Sequence, residues 1–296
     1  MEPGTPEWLA QVTEDIVDPD QRIVDPHHHL WKPDGAIPYG LDDLHADTGS
    51  GHKVEATVFV ECHSSYRTDG PEHLRPVGET EYVTEAAKES ATSGKAEIRG
   101  IVAHADLTSG PLLDETLDAH VAAADDLFKG IRHYVAHDDD PSALTIPGQA
   151  GPGVYANPDF RAGVARLGER GLTYDGWHYH HQLPEFGELA AATPGTTMVL
   201  DHFGTPLGVG RYADAREEIY QQWKIDIAAV AANDNVVAKL GGLAMPDNGF
   251  GWHTAETPPT SDEFVAAQER YYLHTCLLYT SPSPRDATLS RMPSSA

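Results

Sequence analysis

Seven short β-like runs constrain this chain more than any other feature. Each except the first is preceded by an amphipathic or alanine-rich stretch. They lie at residues 22–30, 56–62, 97–104, 129–135, 172–178, 197–201 and 235–240. Alternation of this kind is the pattern of a parallel sheet joined by crossover helices. Asn157-Pro158 is a helix start with proline in the first turn, followed by Phe160, Val164 and Leu167 on one stripe. Ile219, Trp223, Ile227 and Val230 form another stripe, and Thr260 with Glu263 reads as a capping box opening a helix over 264–274. The segments 31–53 and 136–153, rich in Pro, Gly and Asp, read as long loops over one mouth of a barrel. A length of 296 residues suits a single α/β barrel, for which about 250 residues is typical. A closed (β/α)8 TIM barrel needs eight strands. The expectation is therefore an α/β fold, a distorted and incomplete TIM barrel whose eighth strand is missing.

The stretch where that strand belongs is CLLYTSPSPRDATLSRMPSSA, residues 276–296, with no apolar run beyond 277–279. It resembles the translated sequencing-adapter read-through found at the ends of some metagenomic gene models. The expected organisation is an N-terminal arm over 1–20, the barrel over 21–275, and a non-native tail over 276–296. That tail is expected to form no barrel strand and to pack poorly.

Composition excludes several classes of function. The formal net charge is −26, from 20 basic and 46 acidic residues, which argues against nucleic acid or an anionic membrane as partner. No apolar run approaches the ~20 residues of a transmembrane helix. The acidic N-terminus lacks the apolar core of a signal peptide, so a cytoplasmic protein acting on a small molecule is expected. Two cysteines, Cys62 and Cys276, are too few for a disulfide framework.

The chemistry gathers at the strand ends. In Asp25-Pro26-His27-His28-His29, strand alternation puts Asp25, His27 and His29 on one face and His28 on the other. Two imidazoles and a carboxylate can hold a divalent metal, activate water or polarise a carbonyl. Glu61 and His63 end the second run, and His104 the third. Arg132 and His133 lie in the fourth, His178 and His180 follow the fifth, and His202 follows the sixth. Lys239 lies inside an apolar run. A buried lysine is costly unless paired, and Glu61 is a candidate partner.

The strings VDPHHHLW, VFVECHSSYR, GIRHYV, LTYDGWHYHHQLPEFGELA, MVLDHFGTP and VVAKLGGL occur in this order. Together, over roughly 20–275, they resemble the amidohydrolase-related family of metal-dependent TIM-barrel hydrolases, in the branch of 2-pyrone-4,6-dicarboxylate and sugar lactonases. The resemblance implies a site at the C-terminal mouth of the strands. It implies that His27, His29 and His202 are catalytic and provisionally hold one divalent metal, the family's Zn²⁺. Polarisation of the carbonyl by histidine and arginine alone stays open, and no organic cofactor is implied. Arg132 matches an arginine that pairs with a substrate carboxylate; an ion pair with a local acid is its structural alternative. His180 (or its neighbour His181), Tyr66 and Arg67 are candidates for gripping substrate. An eighth-strand acid, absent here, would activate water, so the chain as written is expected to be nearly inactive as a lactonase. The function expected is hydrolysis of a lactone or cyclic ester of a small carboxylated or sugar acid. A non-oxidative decarboxylase on the same barrel and a non-catalytic small-molecule binder are the alternatives.

Overall fold

The computed structural model describes residues 3–32, 37–148 and 150–280. Its strands are β1 (Arg22–His28), β2 (Lys53–Val60), β3 (Glu97–Ala103), β4 (Phe128–Arg132), β5 (Thr173–Gly176), β6 (Met198–Leu200) and β7 (Val236–Ala238). Its helices are α1 (Pro6–Leu9), α2 (Leu41–Thr48), α3 (Val77–Ser93), α4 (Leu112–Ala124), α5 (Pro158–Glu169), α6 (Leu183–Ala192), α7 (Arg216–Ala231) and α8 (Ser261–Thr280). All seven expected strands form. They pair in parallel in the order β1-β2-β3-β4-β5-β6-β7, which makes a curled, incomplete TIM barrel with β1 and β7 as its edges.

The expected helix signals hold. The Asn157 side chain accepts from Asp159 N at 2.8 Å and caps α5, whose Phe160, Val164 and Leu167 are fully buried. On α7 the Trp223 indole is buried and donates to Phe203 O at 2.8 Å. Thr260 and Glu263 form the capping box of α8. These stripes cover the outer face of the sheet in one continuous core with Phe59, Ile101, Ile131 and Leu200.

Two expectations need correction. The segment 31–53 is not all loop, because α2 forms within it. Asp43 accepts from Gly40 N at 2.8 Å at its start, and Leu44 is buried. Residues 276–280, placed by sequence outside the barrel domain and expected to pack poorly, instead continue α8 as helix. Buried Tyr271 and Thr275 lead on to Leu278, which packs against the core together with Tyr279. The spacing of 271, 275 and 278 keeps one face turned inward. Residues 281–296 lie outside the described residues.

The sheet edges leave an open side. Val24 on β1 and Val237 on β7 are 60% and 49% exposed. A cleft of about 400 Å³ enters there, past Pro26 and Val237, and reaches Asp175 and Lys239 inside the barrel. Val58, Val102 and Val199 line the same cleft, so the barrel floor is apolar and its upper layer polar, as layered barrel interiors are built. Among the described residues no helix is long and apolar enough to cross a membrane.

Candidate active site

Proline at position 26 cannot donate to a ladder, and the β1–β2 register shifts between Asp25 and His28. Asp25 Oδ1 accepts from His27 N at 3.0 Å across this irregularity. His28 turns to the opposite side, with Nε2 3.0 Å from Thr57 Oγ1 and its ring against Phe59. His27 and His29 both enter the mouth, with Nε2 atoms 3.3 Å apart. His29 Nδ1 lies 2.7 Å from Val60 O. A carbonyl only accepts, so Nδ1 carries the proton and Nε2 the lone pair.

The end of β6 supplies the third imidazole. His202, Phe203 and Thr205 all adopt positive φ, a costly backbone for residues with a Cβ, and the turn brings the His202 ring centroid to 4.5 Å from that of His27. Gly242 backs it from the segment after β7. Its φ is +88°, and a Cβ there would lie 2.0 Å from His202 Nδ1.

Beneath the histidines lies a buried ion network. Lys239 Nζ is 2.6 Å from Asp175 Oδ2 and 3.1 Å from Asp201 Oδ1. Its partners are therefore these two carboxylates and not Glu61. Glu61 belongs to Arg132, whose Nε donates to Oε1 at 2.7 Å and whose NH2 donates to the Glu61 carbonyl. Arg132 NH1 reaches 3.4 Å from His27 Nε2 and 3.6 Å from Asp201 Oδ2. The Nε/NH2 edge of the guanidinium, which could grip both oxygens of a substrate carboxylate, is thus taken by Glu61. Only NH1 faces the histidines.

The charges follow from this burial and pairing. Burial lowers His27 well below the ordinary imidazole value and His29 to about 4, and lowers His202, so all three are neutral at pH 7. Burial would raise Asp201, but Lys239 and His27 hold it well below the usual carboxylate range. Burial raises Asp175 to about 6 against the pull of Lys239, with the charge of Asp201 adding to the rise. Two carboxylates share one ammonium. Burial would raise Glu61 too, but Arg132 and His63 bring it to about 2.

The other candidates are spread around the rim. His180 is buried against Tyr212, with Nδ1 3.3 Å from Leu207 N, and lies outside the histidine group. His181 Nε2 is 2.9 Å from His137 O. Tyr66 stacks near His63 and His104. Arg67 pairs with Glu81 and is turned away from the mouth. His178 packs outside the barrel wall on Tyr155 and Phe186. Asp175, Asp201 and Gly242 were missed by sequence reading. The two aspartates were visible as carboxylates ending apolar runs, Leu172-Thr-Tyr-Asp175 and Met198-Val-Leu-Asp201.

Glu79 on α3 shapes the β2 loop from below. It is buried, and its Oε1 accepts from Cys62 N at 3.2 Å and Ser64 N at 2.7 Å. Burial, then the charge of Glu61, raises it to about 7. A carboxyl raised on folding costs stability above its folded pKa, and the cost vanishes below its unfolded one. Glu79→Gln keeps the accepting oxygen and removes the charge. It is expected to stabilise the chain by about 2–3 kcal/mol at pH 8 and by nothing at pH 4. Urea unfolding at the two pH values measures this; the same gain at both would disprove the charge argument.

A parallel barrel with neutral histidines and a buried ion network at the carboxyl ends of its strands has its polar groups where barrel enzymes keep their chemistry. The chain belongs to the amidohydrolase family, whose model matches residues 24–278, and it is a hydrolase. It is 28% identical to an uncharacterised Sinorhizobium fredii protein, y4mH, over 84% of this chain and 81% of that protein. An amidohydrolase from Burkholderia multivorans with bound zinc has the same fold, with a TM-score of 0.62 at 20% identity over 86% of this chain and 80% of that one. So does a Pseudomonas putida protein provisionally assigned as 2-pyrone-4,6-dicarboxylic acid hydrolase, with a TM-score of 0.54 at 16% identity over 86% and 78%.

Proposed function

We propose that the chain hydrolyses a lactone or related cyclic ester of a small carboxylated or sugar-derived acid. The observation that carries this reading is the meeting of three neutral imidazoles, His27, His29 and His202, beside NH1 of Arg132. Arg132 NH1, and His27 when its Nε2 carries the proton, can polarise an ester carbonyl, while the Nε2 lone pair of His29 can accept a proton. His27 is suited to moving a proton. Its Nδ1 faces Lys239 at 3.5 Å and Asp201 at 3.7 Å, while its Nε2 faces His29 and Arg132, so either tautomer finds partners. The 2-pyrone-4,6-dicarboxylic acid hydrolase assignment of the Pseudomonas putida neighbour supports a cyclic ester as substrate class.

The residues also fit a divalent ion. One donor atom each from His27, Asp201 and His202 lies within 4.8 Å of the others. Both Asp201 carboxylate oxygens are buried with no hydrogen bond among the described residues. Zinc, when held by these three, would supply Lewis acidity towards the carbonyl and acidify a bound water. Lys239 Nζ lies 3.1 Å from Asp201 Oδ1 and 3.5 Å from His27 Nδ1, and Arg132 NH1 3.6 Å from Asp201 Oδ2, so both cations compete with an ion for these donors.

The test is a panel of aldonolactones and pyrone carboxylates, followed for ring opening and for carbon dioxide. Ring opening without carbon loss is expected, with His202→Asn at least about 10²-fold slower and its melting temperature little changed. Carbon dioxide release would assign a decarboxylase. Binding without turnover would assign a binding protein.

A further inference from the structure

Across Arg132 from His27, the loop after β2 and the end of β3 bring a second donor group together. One donor atom each from Glu61, His63 and His104 lies within 4.8 Å of the others. Arg132 Nε occupies Glu61 Oε1 at 2.7 Å. The other oxygen, Oε2, is buried and has no aligned hydrogen bond among the described residues. His63 Nε2 stands 3.1 Å from it, off the line of a hydrogen bond. His104 Nδ1 lies 3.1 Å from the Arg132 carbonyl. Its proton is therefore on Nδ1, and Nε2 is left with its lone pair. A backbone carbonyl fixing the far nitrogen is the usual support of a metal-bound imidazole.

We propose that Glu61, His63 and His104 form a cation site of their own, separate from the His27–Asp201–His202 group, for a zinc-like divalent transition ion. Two imidazole nitrogens and one carboxylate oxygen with a fourth position open are a zinc donor set. Magnesium and calcium favour shells of oxygen. Arg132 does not block the site, because one carboxylate can accept from a guanidinium on one oxygen and bind an ion with the other. Tetrahedral zinc requires ligand atoms about 3.3 Å apart, so the group must tighten. His63 is the member that can move. Its side chain is 42% exposed on a loop, between the Tyr66 and Tyr134 rings at 5.4 and 5.3 Å. A cleft of about 510 Å³ lined by Tyr66 and His104 gives an ion access from solvent.

This site stands whether or not the first group binds metal, and one titration separates the two. The metal-stripped full chain is titrated with Co²⁺, read by its visible d–d bands, and with Zn²⁺ by calorimetry. Two equivalents are expected for the wild type and one for His202→Asn. That remaining equivalent should vanish in His63→Asn/His202→Asn and in His104→Asn/His202→Asn. Should the buried His104 change impair folding, the His63 variant decides. If His202→Asn binds nothing tighter than about 1 mM, the site does not exist. Binding that survives unchanged in the His63 double variant also overturns it. One equivalent in the wild type that is lost with His63 and kept with His202→Asn upholds this site and overturns a metal at the first.

Discussion

Lys239→Met is expected to be the most destabilising single change in this chain. Lys239 is the ammonium between Asp175 and Asp201, at 2.6 and 3.1 Å, and both carboxylates are buried to about 1% exposure or less. Methionine fills the stem's volume but leaves two like charges in the barrel with only Arg132 NH1, 3.6 Å from Asp201, to oppose them. Breaking a buried ion network by removing one partner costs about 3–5 kcal/mol, because the remaining charge stays desolvated. The sign with pH follows. Without the ammonium, both carboxyls rise in the folded state, so the penalty is full above their folded pKa values and fades as acid protonates them. Urea unfolding of Lys239→Met should therefore show a large deficit at pH 8 and a much smaller one at pH 5. An equal deficit at both values would mean that the lysine acts by packing alone.

This network also marks where sequence reading stopped. The seven strands were legible because each is a run of apolar residues between clear helix signals, and strand periodicity is local. The convergence of His27, His29 and His202 could be anticipated only as far as strand ends meet at one mouth. Pairing is not local. Lys239 meets Asp175 and Asp201 across 64 and 38 positions of sequence, and nothing in the local pattern of any of the three ranks these partners above Glu61. Arg132 shows the same limit. Its charge and position were legible, yet the edge of its guanidinium turned to Glu61 is fixed only by the three-dimensional packing of β2 against its neighbours. Residues 276–280 were misjudged for the opposite reason. They were set apart because the whole string 276–296 resembles adapter read-through, while the helical stripe through Tyr271 and Thr275 was already running into them.

Gly242→Ala tests whether the placement of His202 limits the reaction. Gly242 has φ +88°, a backbone that residues with a Cβ rarely adopt, and its Cβ would sit 2.0 Å from His202 Nδ1 and 2.5 Å from Cγ. The ring cannot simply withdraw. On its other side lies His27, with centroids 4.5 Å apart, and its own backbone is held at φ +52° by the turn after β6. Either the segment after β7 shifts, or His202 swings off the shared focus with His27 and His29. Misplacing a catalytic group by about 1 Å can cost about 10²-fold in rate, while the backbone strain alone costs about 1–3 kcal/mol of stability. Gly242→Ala should therefore lower kcat for ring opening about as far as His202→Asn does. The double variant Gly242→Ala/His202→Asn should be no slower than either single one, because both remove the same interaction. Rates that multiply in the double variant would show that Gly242 acts elsewhere. A Gly242→Ala enzyme with reduced melting temperature but unchanged kcat would show that the segment after β7 yields and leaves His202 in place.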